Sequence, residues 1–310
     1  MRVLIYYFSG TGNTEKVARE YEAALVSEGN EVTLSALPLS GEEVIATHPQ
    51  DYDLIGIGYP IHAFNAPEVV LKLAKNLPAL EGEESKPAFI FKTSGEPVRM
   101  SDVSSLKLSS LLRKRGYIVK NEYQYVMPYN MIFRHDDRTV YKMWSTAKAV
   151  IPIDVREILD GTPSRPKKVA FGPLIAGVLR IEHAFAHVNA KAYKITDKCV
   201  HCNLCVKTCP TENITVDESG KIKFGKNCTM CMRCSFNCPV NAINLGLFEG
   251  WKVNGAYSFR EPAPDSPPPT KRHAKYCKKA YDRYFSAAEK KIARKNGKTA
   301  ENNNSDINRK

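Results

Sequence analysis

Residues 199–210 read Cys-Val-His-Cys-Asn-Leu-Cys-Val-Lys-Thr-Cys-Pro, and residues 228–239 read Cys-Thr-Met-Cys-Met-Arg-Cys-Ser-Phe-Asn-Cys-Pro. Both stretches place four cysteines in the spacing Cys-x-x-Cys-x-x-Cys-x-x-x-Cys-Pro, and together they hold eight of the nine cysteines of the chain. Three thiolates at this spacing can wrap one tight turn of backbone around three corners of an iron–sulfur cubane. The repeat therefore predicts two [4Fe–4S] clusters.

The fourth cysteine of each stretch decides how the ligands are shared. In the two-cluster pattern it ligates the other cluster. The expected ligand sets are Cys199, Cys202, Cys205 and Cys238 for one cluster, and Cys228, Cys231, Cys234 and Cys209 for the other. Zinc knuckles are the alternative, but zinc sites seldom carry a third cysteine three residues on and then Cys-Pro. The ninth cysteine, Cys277, is expected to be a spare surface or packing thiol.

Residues 193–250 resemble the bacterial two-cluster ferredoxins, since every ligand position of their motif is occupied. The resemblance implies a small α+β domain. Its apolar content is thin, so metal binding is expected to supply much of its folding energy.

Upstream of the cysteines, residues 1–160 alternate short apolar runs with helical patterns. Strands are predicted at 2–8, 31–36, 53–59, 87–92 and 117–126, and helices at 14–28, 66–77, 101–115 and 138–160, the last kinked at Pro152. Near-continuous apolar strands are typical of parallel sheets that are buried on both faces. The alternation predicts a parallel sheet with right-handed crossovers.

A loop of small residues follows the first strand and opens the first helix. It consists of Ser9, Gly10, Thr11, Gly12, Asn13 and Thr14. No Gly-Lys-Ser/Thr follows, and Glu15 stands where the third glycine of a dinucleotide fingerprint belongs. The loop can bind a phosphate monoester through backbone N–H and hydroxyl groups. The alternative is a tight strand-to-helix turn capped by Thr14.

Two further loops follow the third and fourth strands. The second loop is Pro60, Ile61, His62, Ala63 and Phe64, and the third is Thr93, Ser94, Gly95 and Glu96. The carboxyl ends of the first, third and fourth strands are where a sheet of order 2-1-3-4-5 binds FMN. Residues 1–160 therefore resemble the flavodoxins, which implies FMN with its phosphate in the first loop and its isoalloxazine beside the other two.

The resemblance has two departures. The second loop lacks the glycine that flavodoxins commonly place there, and the third lacks the aromatic residue that usually stacks on the outer flavin face. Phe64 or Tyr129 could substitute for that aromatic residue; otherwise one flavin face lies open to a partner or to the clusters. A structural or solvent role is favoured for His62 over proton delivery to the flavin.

The whole chain resembles the flavodoxin-fused ferredoxins. The expected fold class is α/β, a flavodoxin-like doubly wound parallel sheet followed by a small α+β bacterial ferredoxin-like two-cluster domain. The expected division is a flavodoxin-like FMN-binding domain (1–160), a linker and connecting helix near 174–192 (161–192), the ferredoxin domain (193–250), and a Pro-rich linker, basic helix and disordered tail (251–310).

We expect an electron-transfer protein that passes single electrons between the clusters and FMN, or onward to a redox partner protein. The alternative is an FMN-dependent flavin- or quinone-type oxidoreductase fed by the clusters. The chain has no nicotinamide fingerprint, which counts against direct hydride input. No residue is expected to act as a catalytic nucleophile.

The net charge of +12 is concentrated in one segment: residues 270–310 carry 13 of the 45 Lys and Arg residues but 4 of the 33 Asp and Glu. Its helix is expected to pack an apolar stripe on the body and turn its lysines outward to an acidic redox partner. Its aromatics share one helical face, so nucleic-acid binding is not expected. No apolar run is long enough to span a membrane. The apolar start is too short for a signal peptide, which predicts a cytoplasmic protein.

Overall fold

The computed structural model describes residues 1–38, 41–80, 85–167, 169–266 and 277–307. The first half of the chain alternates strands and helices. They are β1 (Arg2–Tyr7), α1 (Asn13–Ser27), β2 (Glu31–Ala36), α2 (Gly41–Ala46), β3 (Leu54–Pro60), α3 (Glu68–Asn76), β4 (Lys86–Ser94), α4 (Leu106–Lys114), β5 (Tyr117–Val126) and α5 (Asp137–Leu159).

Five parallel strands form one sheet in the order β2-β1-β3-β4-β5. The predicted order 2-1-3-4-5 is confirmed. The strand order reverses between β1 and β3, and ligands bind at the carboxyl edge beside such a point.

Both faces of the sheet are buried, which explains the near-continuous apolar strands. Tyr6 and Ile57 belong to a core that includes residues of α3 and α4. Ile5 and Phe89 belong to a second core with residues of α1 and α5, where Tyr21 stacks between strand side chains. Alternate side chains of one strand thus enter opposite cores.

Several helix boundaries differ from the prediction. Residues 99–105 form a 3-10 turn ahead of α4. α5 is one helix through Pro152. The connecting segment folds as two short helices, α6 (Gly172–Leu179) and α7 (Ile181–Ala190), which meet at Arg180. α3 begins at Glu68 because Pro67 precedes it as the cap residue.

The cysteine region is a small domain with little regular structure. Its elements are β6 (Lys194–Ile195), α8 (Leu204–Lys207), β7 (Ile214–Val216), β8 (Ile222–Phe224), α9 (Arg233–Phe236) and β9 (Ile243–Asn244). β6 pairs with β9 and β7 with β8, both antiparallel. Buried apolar side chains such as Met232 and Leu245 pack among the cysteines.

The C-terminal helix α10 (Lys278–Ile307) returns to the first domain. Phe285 packs with Val126 and Met143, and the Tyr284 hydroxyl accepts a hydrogen bond of 3.2 Å from the Val126 N–H. The apolar face of α10 therefore packs on the first domain, as the sequence predicts. The helix extends to Ile307, into the segment for which the sequence predicts a disordered tail.

Part of the expected Pro-rich linker at 261–269 lies outside the described residues, as do residues 270–276. Among the residues that the structure describes, no helix combines the length and the apolar character that a membrane span requires.

Candidate functional site

The two cysteine stretches fold as a structural repeat with an offset of 29 residues. His201 and Asn203 have positive φ, and so do Met230 and Met232 at the equivalent places. α8 and α9 then begin at equivalent residues. Residues other than glycine seldom adopt this conformation, and they concentrate at functional sites.

Each repeat wraps a small cavity lined by cysteines. The first cysteine cavity is lined by Cys199, Cys202, Cys205, Cys234 and Cys238. The second cysteine cavity is lined by Cys209, Cys228, Cys231 and Cys234. Cys238 thus lies with the cysteines of the other repeat, and Cys209 does the same, which is the arrangement that crossed ligation requires.

Four sulfur atoms accept hydrogen bonds from backbone N–H groups in the same repeated pattern. The N–H groups of His201 and Met230 donate to Cys199 and Cys228, at 3.4 and 3.3 Å. The N–H groups of Asn213 and Ala242 donate to Cys209 and Cys238, at 3.3 and 3.2 Å. Hydrogen bonds to cysteine sulfur are among the features that tune iron–sulfur sites.

Burial disfavours the thiolate form of several of these cysteines when no metal is bound. It raises the pKa of Cys228 to about 12 and also raises the pKa of Cys205, Cys231 and Cys234. Iron binding at these cysteines must therefore displace protons. No three His, Cys, Asp or Glu side chains in the described residues are grouped to hold a single metal ion. Cys277 lies apart, immediately before α10.

A larger cavity of about 470 Å³ opens at the carboxyl edge of the sheet, at the predicted loops. We call it the loop cavity. Of the fifteen residues predicted to bind FMN, all except Gly12 line it. Gly12 instead precedes α1 with φ of 94°, a conformation that favours glycine. A cavity of this volume matches small-molecule and cofactor sites in general.

Hydrogen bonds within the first loop and from it to neighbouring segments hold its conformation. The Gly12 N–H donates to the Ser9 hydroxyl at 3.1 Å, and the Asn13 side-chain amide donates to the Pro128 carbonyl at 2.7 Å. The buried Thr14 hydroxyl is 2.8 Å from that of Thr93, so it ties the first loop to the third. Thr14 does not cap α1, because the helix start has no side-chain cap.

The second loop takes a strained backbone in place of the missing glycine. Ala63 and Phe64 have φ values of 48° and 56°. The flanking residues His62 and Asn65 exchange two backbone hydrogen bonds of 3.0 and 2.8 Å, which close the turn. The surrounding bonds therefore fix a conformation that alanine and phenylalanine rarely adopt.

Tyr129 packs against the third loop. Its ring lies where a side chain at Gly95 would have to be, and its hydroxyl donates a hydrogen bond to Glu96. The ring also stacks on His135, with centroids 5.1 Å apart. Tyr129 thus places an aromatic ring at the third loop, and both it and Phe64 line the loop cavity.

An ion pair in the core supports the end of β4. The Lys92 ammonium is 2.6 Å from the Glu122 carboxylate, which also accepts a hydrogen bond of 2.6 Å from the Ser105 hydroxyl. Both charged side chains are at most 2% exposed. A buried pair needs such added hydrogen bonds to offset the loss of hydration.

One wall of the loop cavity was not predicted from the sequence. Beyond the sheet edge it is lined by Phe185, Ala186, Thr229, Met230, Phe248 and Trp251, together with Ile132 and Met131. The first six come from α7, from the second cysteine stretch and from a 3-10 turn (Gly246–Trp251), whereas Met131 and Ile132 follow β5. Local patterning contains no signal for this wall, because it forms only when the two domains meet.

The first loop contacts the second cysteine stretch directly. A side chain at Gly10 would overlap the carbonyl group of Cys231. Arg233 donates hydrogen bonds to the carbonyls of Ser9 (2.6 Å), Gly10 (3.2 Å) and Thr208 (3.0 Å). One guanidinium therefore joins the loop to both cysteine stretches, and the absence of a side chain at Gly10 permits the close approach.

Comparisons with known proteins agree with the cysteine chemistry. Residues 198–242 match the family model described as a 4Fe-4S dicluster domain. Pyruvate synthase subunit PorD of Methanocaldococcus jannaschii is 44% identical over 48 residues, which are 15% of this chain and 56% of that protein. A ferredoxin-like protein in the nif region of Nostoc sp. is 32% identical over 75 residues, which are 20% of this chain and 65% of that protein. The chain spans less than two thirds of either relative.

A solved short-chain flavodoxin, associated with a non-canonical PDU bacterial microcompartment, is 13% identical. The match covers 52% of this chain and 97% of that chain, with a TM-score of 0.38. The family match shows that the C-terminal half of the chain contains an iron–sulfur domain of the 4Fe-4S dicluster class. In particular, the chain joins an N-terminal flavodoxin-like domain to a C-terminal 4Fe-4S dicluster domain.

Proposed function

We propose that the chain is a redox carrier that holds FMN in the loop cavity and a [4Fe–4S] cluster in each cysteine cavity. Bound clusters exchange single electrons, and FMN can hold one or two. The observation that carries the proposal is that the three cavities lie in series. Arg233 and Cys234 line both cysteine cavities, while Thr229 and Met230 line both the second cysteine cavity and the loop cavity.

The cysteines fit the proposed clusters by number, surroundings and hydrogen bonding. One set is Cys199, Cys202, Cys205 and Cys238, and the other is Cys209, Cys228, Cys231 and Cys234. Cys234 also borders the first cavity, and we place it in the second set because it belongs to the second stretch with Cys228 and Cys231. Apolar side chains such as Ile195 and Ile243 also line the first cavity.

The first loop fits a phosphate group. Ser9, Thr11 and Asn13 line the cavity, and the start of α1 adds backbone N–H groups and the positive end of the helix dipole. The second and third loops and the aromatic wall then border the space for the isoalloxazine. Residues 228–231 separate that space from the second cysteine cavity, so the protein itself holds the two sites adjacent.

The proposal is tested on protein purified without oxygen. Iron, sulfide and flavin analyses should give two [4Fe–4S] clusters and one FMN per chain. Dithionite or a reduced ferredoxin should bleach the flavin absorbance, whereas NAD(P)H alone should not. Bleaching by NAD(P)H without another protein would favour the flavin- or quinone-type oxidoreductase, and purified protein that neither contains nor takes up FMN would contradict the flavin half of the proposal.

A further inference from the structure

Helices α6 and α7 expose a row of apolar side chains, here called the apolar stripe. It consists of Phe171, Leu174, Val178, Ile181, Phe185 and Val188. Their exposed fractions lie between 43% and 79%. Within each helix the spacing places the exposed side chains on one side: Leu174 and Val178 are four residues apart on α6, and Ile181, Phe185 and Val188 are four and three apart on α7. Phe171 immediately precedes α6. Folded proteins seldom expose a continuous apolar surface unless it binds something.

The composition of α6 indicates what covers this surface. Residues 172–179 read Gly-Pro-Leu-Ile-Ala-Gly-Val-Leu and include no polar side chain. Ala176 is buried against the body, yet Leu174 and Val178 are 67% and 57% exposed. A coiled-coil partner helix would be expected to meet charged residues on either side of the stripe. α6 offers none, although α7 includes Glu182, His183 and His187. A helix without polar side chains is expected to be covered by apolar protein or by lipid.

The stripe continues into the mouth of the loop cavity. The Phe185 ring lies 5.8 Å from Phe248, which stacks on Trp251 at 5.4 Å. Phe185 and Trp251 also line the loop cavity. Beside them, Leu247 is 77% exposed and Trp251 is 48% exposed. Tryptophan at such an edge is suited to a membrane–water interface, since its ring is apolar and its N–H is polar.

Positive charge borders the stripe. Desolvation, followed by the nearby positive charges of Arg180 and Lys75, lowers the pKa of Lys107, and the carboxylate of Glu68 opposes this shift. Lys107 adjoins Leu106, whose side chain packs beside Gly172 at the start of α6. Exposed basic residues also stand before and after the two helices at Arg165, Lys167 and Lys191. A local excess of positive charge attracts an anionic surface.

We propose that the apolar stripe and its basic border dock the protein on the surface of a bilayer that contains anionic phospholipids. Helices α6 and α7 would lie in the plane of the interface, with the stripe about 5–10 Å into the boundary between headgroups and acyl chains. The mouth of the loop cavity then faces the bilayer, because Phe185 belongs to the stripe and also lines the cavity, and Trp251 lies beside it through Phe248. This inference does not depend on which cofactor fills the cavity.

The test uses the full chain and vesicles of phosphatidylcholine with or without phosphatidylglycerol. The wild type should co-sediment with the anionic vesicles, less so at high salt. The triple variant Leu174→Gln, Val178→Gln, Ile181→Gln should bind at least about tenfold more weakly, because three apolar contacts with lipid are lost. A matched control replaces three exposed apolar residues elsewhere, Val26, Ile45 and Val216, by Gln and should bind as the wild type does.

Fluorescence gives an independent readout. The chain has two tryptophans, so Trp144→Phe leaves Trp251 as the sole reporter. Anionic vesicles should shift its emission to shorter wavelength. If the wild type binds no vesicles, the proposal is wrong. Light scattering then shows what covers the stripe: a dimer that the triple variant dissociates would identify a second copy of the chain as the occupant. Equal loss of binding in the matched control would overturn it as well.

Discussion

At the scale of single residues, the second loop shows how the chain replaces a glycine. Ala63 and Phe64 both have positive φ, and two hydrogen bonds between His62 and Asn65 close the turn around them. A residue with a Cβ atom loses about 1–2 kcal/mol in the left-handed region. The surrounding contacts therefore hold the loop against a local preference for another conformation.

Ala63→Gly should raise the free energy of unfolding by about 1 kcal/mol, because glycine adopts positive φ without the Cβ penalty. Denaturant unfolding measures this directly. Ala66→Gly is the matched control: Ala66 is buried and lacks positive φ, so this change should lower the stability. If both variants are destabilised alike, the strain at Ala63 is not significant.

Thr11→Val should weaken FMN binding at least about tenfold, because a hydrogen bond to a charged group contributes about 1.5–3 kcal/mol. Equilibrium titration of apoprotein measures the affinity, and iron content should not change. Riboflavin, which lacks the phosphate, should bind the wild type and the variant equally. A parallel loss of riboflavin binding would place Thr11 away from the phosphate. Thr14→Val is less informative, because it also breaks the buried contact with Thr93.

At the scale of elements, the two cysteine stretches are one motif used twice. Positive-φ residues, N–H···S bonds and short helices recur with the same offset. Each stretch nevertheless lacks a complete ligand set of its own, because its last cysteine lines the cavity of the other stretch. The two stretches are therefore expected to fold and bind iron together.

Cys209→Ser should damage the cluster that we assign to Cys228, Cys231 and Cys234, and Cys238→Ser should damage the other one. EPR of the reduced variants can identify which cluster signal changes. Each variant serves as the control for the other, because both leave the three closely spaced cysteines of each stretch intact. Loss of the cluster nearest in sequence to the substituted cysteine, in either variant, would contradict crossed ligation.

One lysine of helix α10, Lys291, faces the body of the protein and makes an ion pair there. The lysines of this helix were expected to face outward, but the Lys291 ammonium bonds to Asp154 and lies 2.8 Å from Glu157. Asp154 is 1% exposed, and burial raises its pKa to about 6 while Lys291 lowers it. Because the folded pKa is raised, this carboxyl contributes stability below about pH 4 that is lost as the pH rises through about 6.

Lys291→Met should therefore destabilise the protein more above pH 6 than below pH 4. With the cation removed, the pKa of Asp154 should rise further, since its ionised form is buried without its closest partner. Denaturant unfolding as a function of pH measures the difference. Lys290→Met changes the exposed neighbouring lysine and should show no such pH dependence. An equal effect of Lys291→Met at both ends of the pH range would mean that the ion pair is unimportant.

At the scale of the whole molecule, the interface between the domains is part of the site. Arg233 bonds to the first loop and to both cysteine stretches, and the loop cavity takes one wall from each domain. The distance between the proposed redox centres is then fixed by this interface rather than by a flexible linker.

Arg233→Gln should weaken this interface by about 1.5–3 kcal/mol, because charged hydrogen bonds to backbone carbonyls are lost. Hydrogen exchange should increase at residues 9–12 and 228–231, and flavin bleaching by a reduced ferredoxin should slow, while iron and flavin contents persist. Arg19→Gln, which removes an exposed pair with Glu15, serves as the control. Unchanged exchange and an unchanged bleaching rate would show that Arg233 does not set the contact.

The sequence predicted those features that local patterns specify. The buried strands and the loops at their ends followed from apolar runs and turn residues, and the cysteine spacing predicted the dicluster domain. Phe185, Trp251 and Arg233 could not be assigned, because their partners lie in another domain and no pattern links them. Lys291 was misplaced because a buried acid such as Asp154 looks like any other acid in a sequence.

The return of α10 to the first domain has a consequence for synthesis. The ribosome makes the sheet and α5 first, but the helix that covers Val126 and Met143 is translated only after the whole ferredoxin region. At about 5–20 residues per second, roughly 120 intervening residues take on the order of 6–24 seconds. During that interval the nascent domain exposes an apolar surface beside α5. Chaperones that recognise such surfaces would therefore encounter this protein while it is still attached to the ribosome.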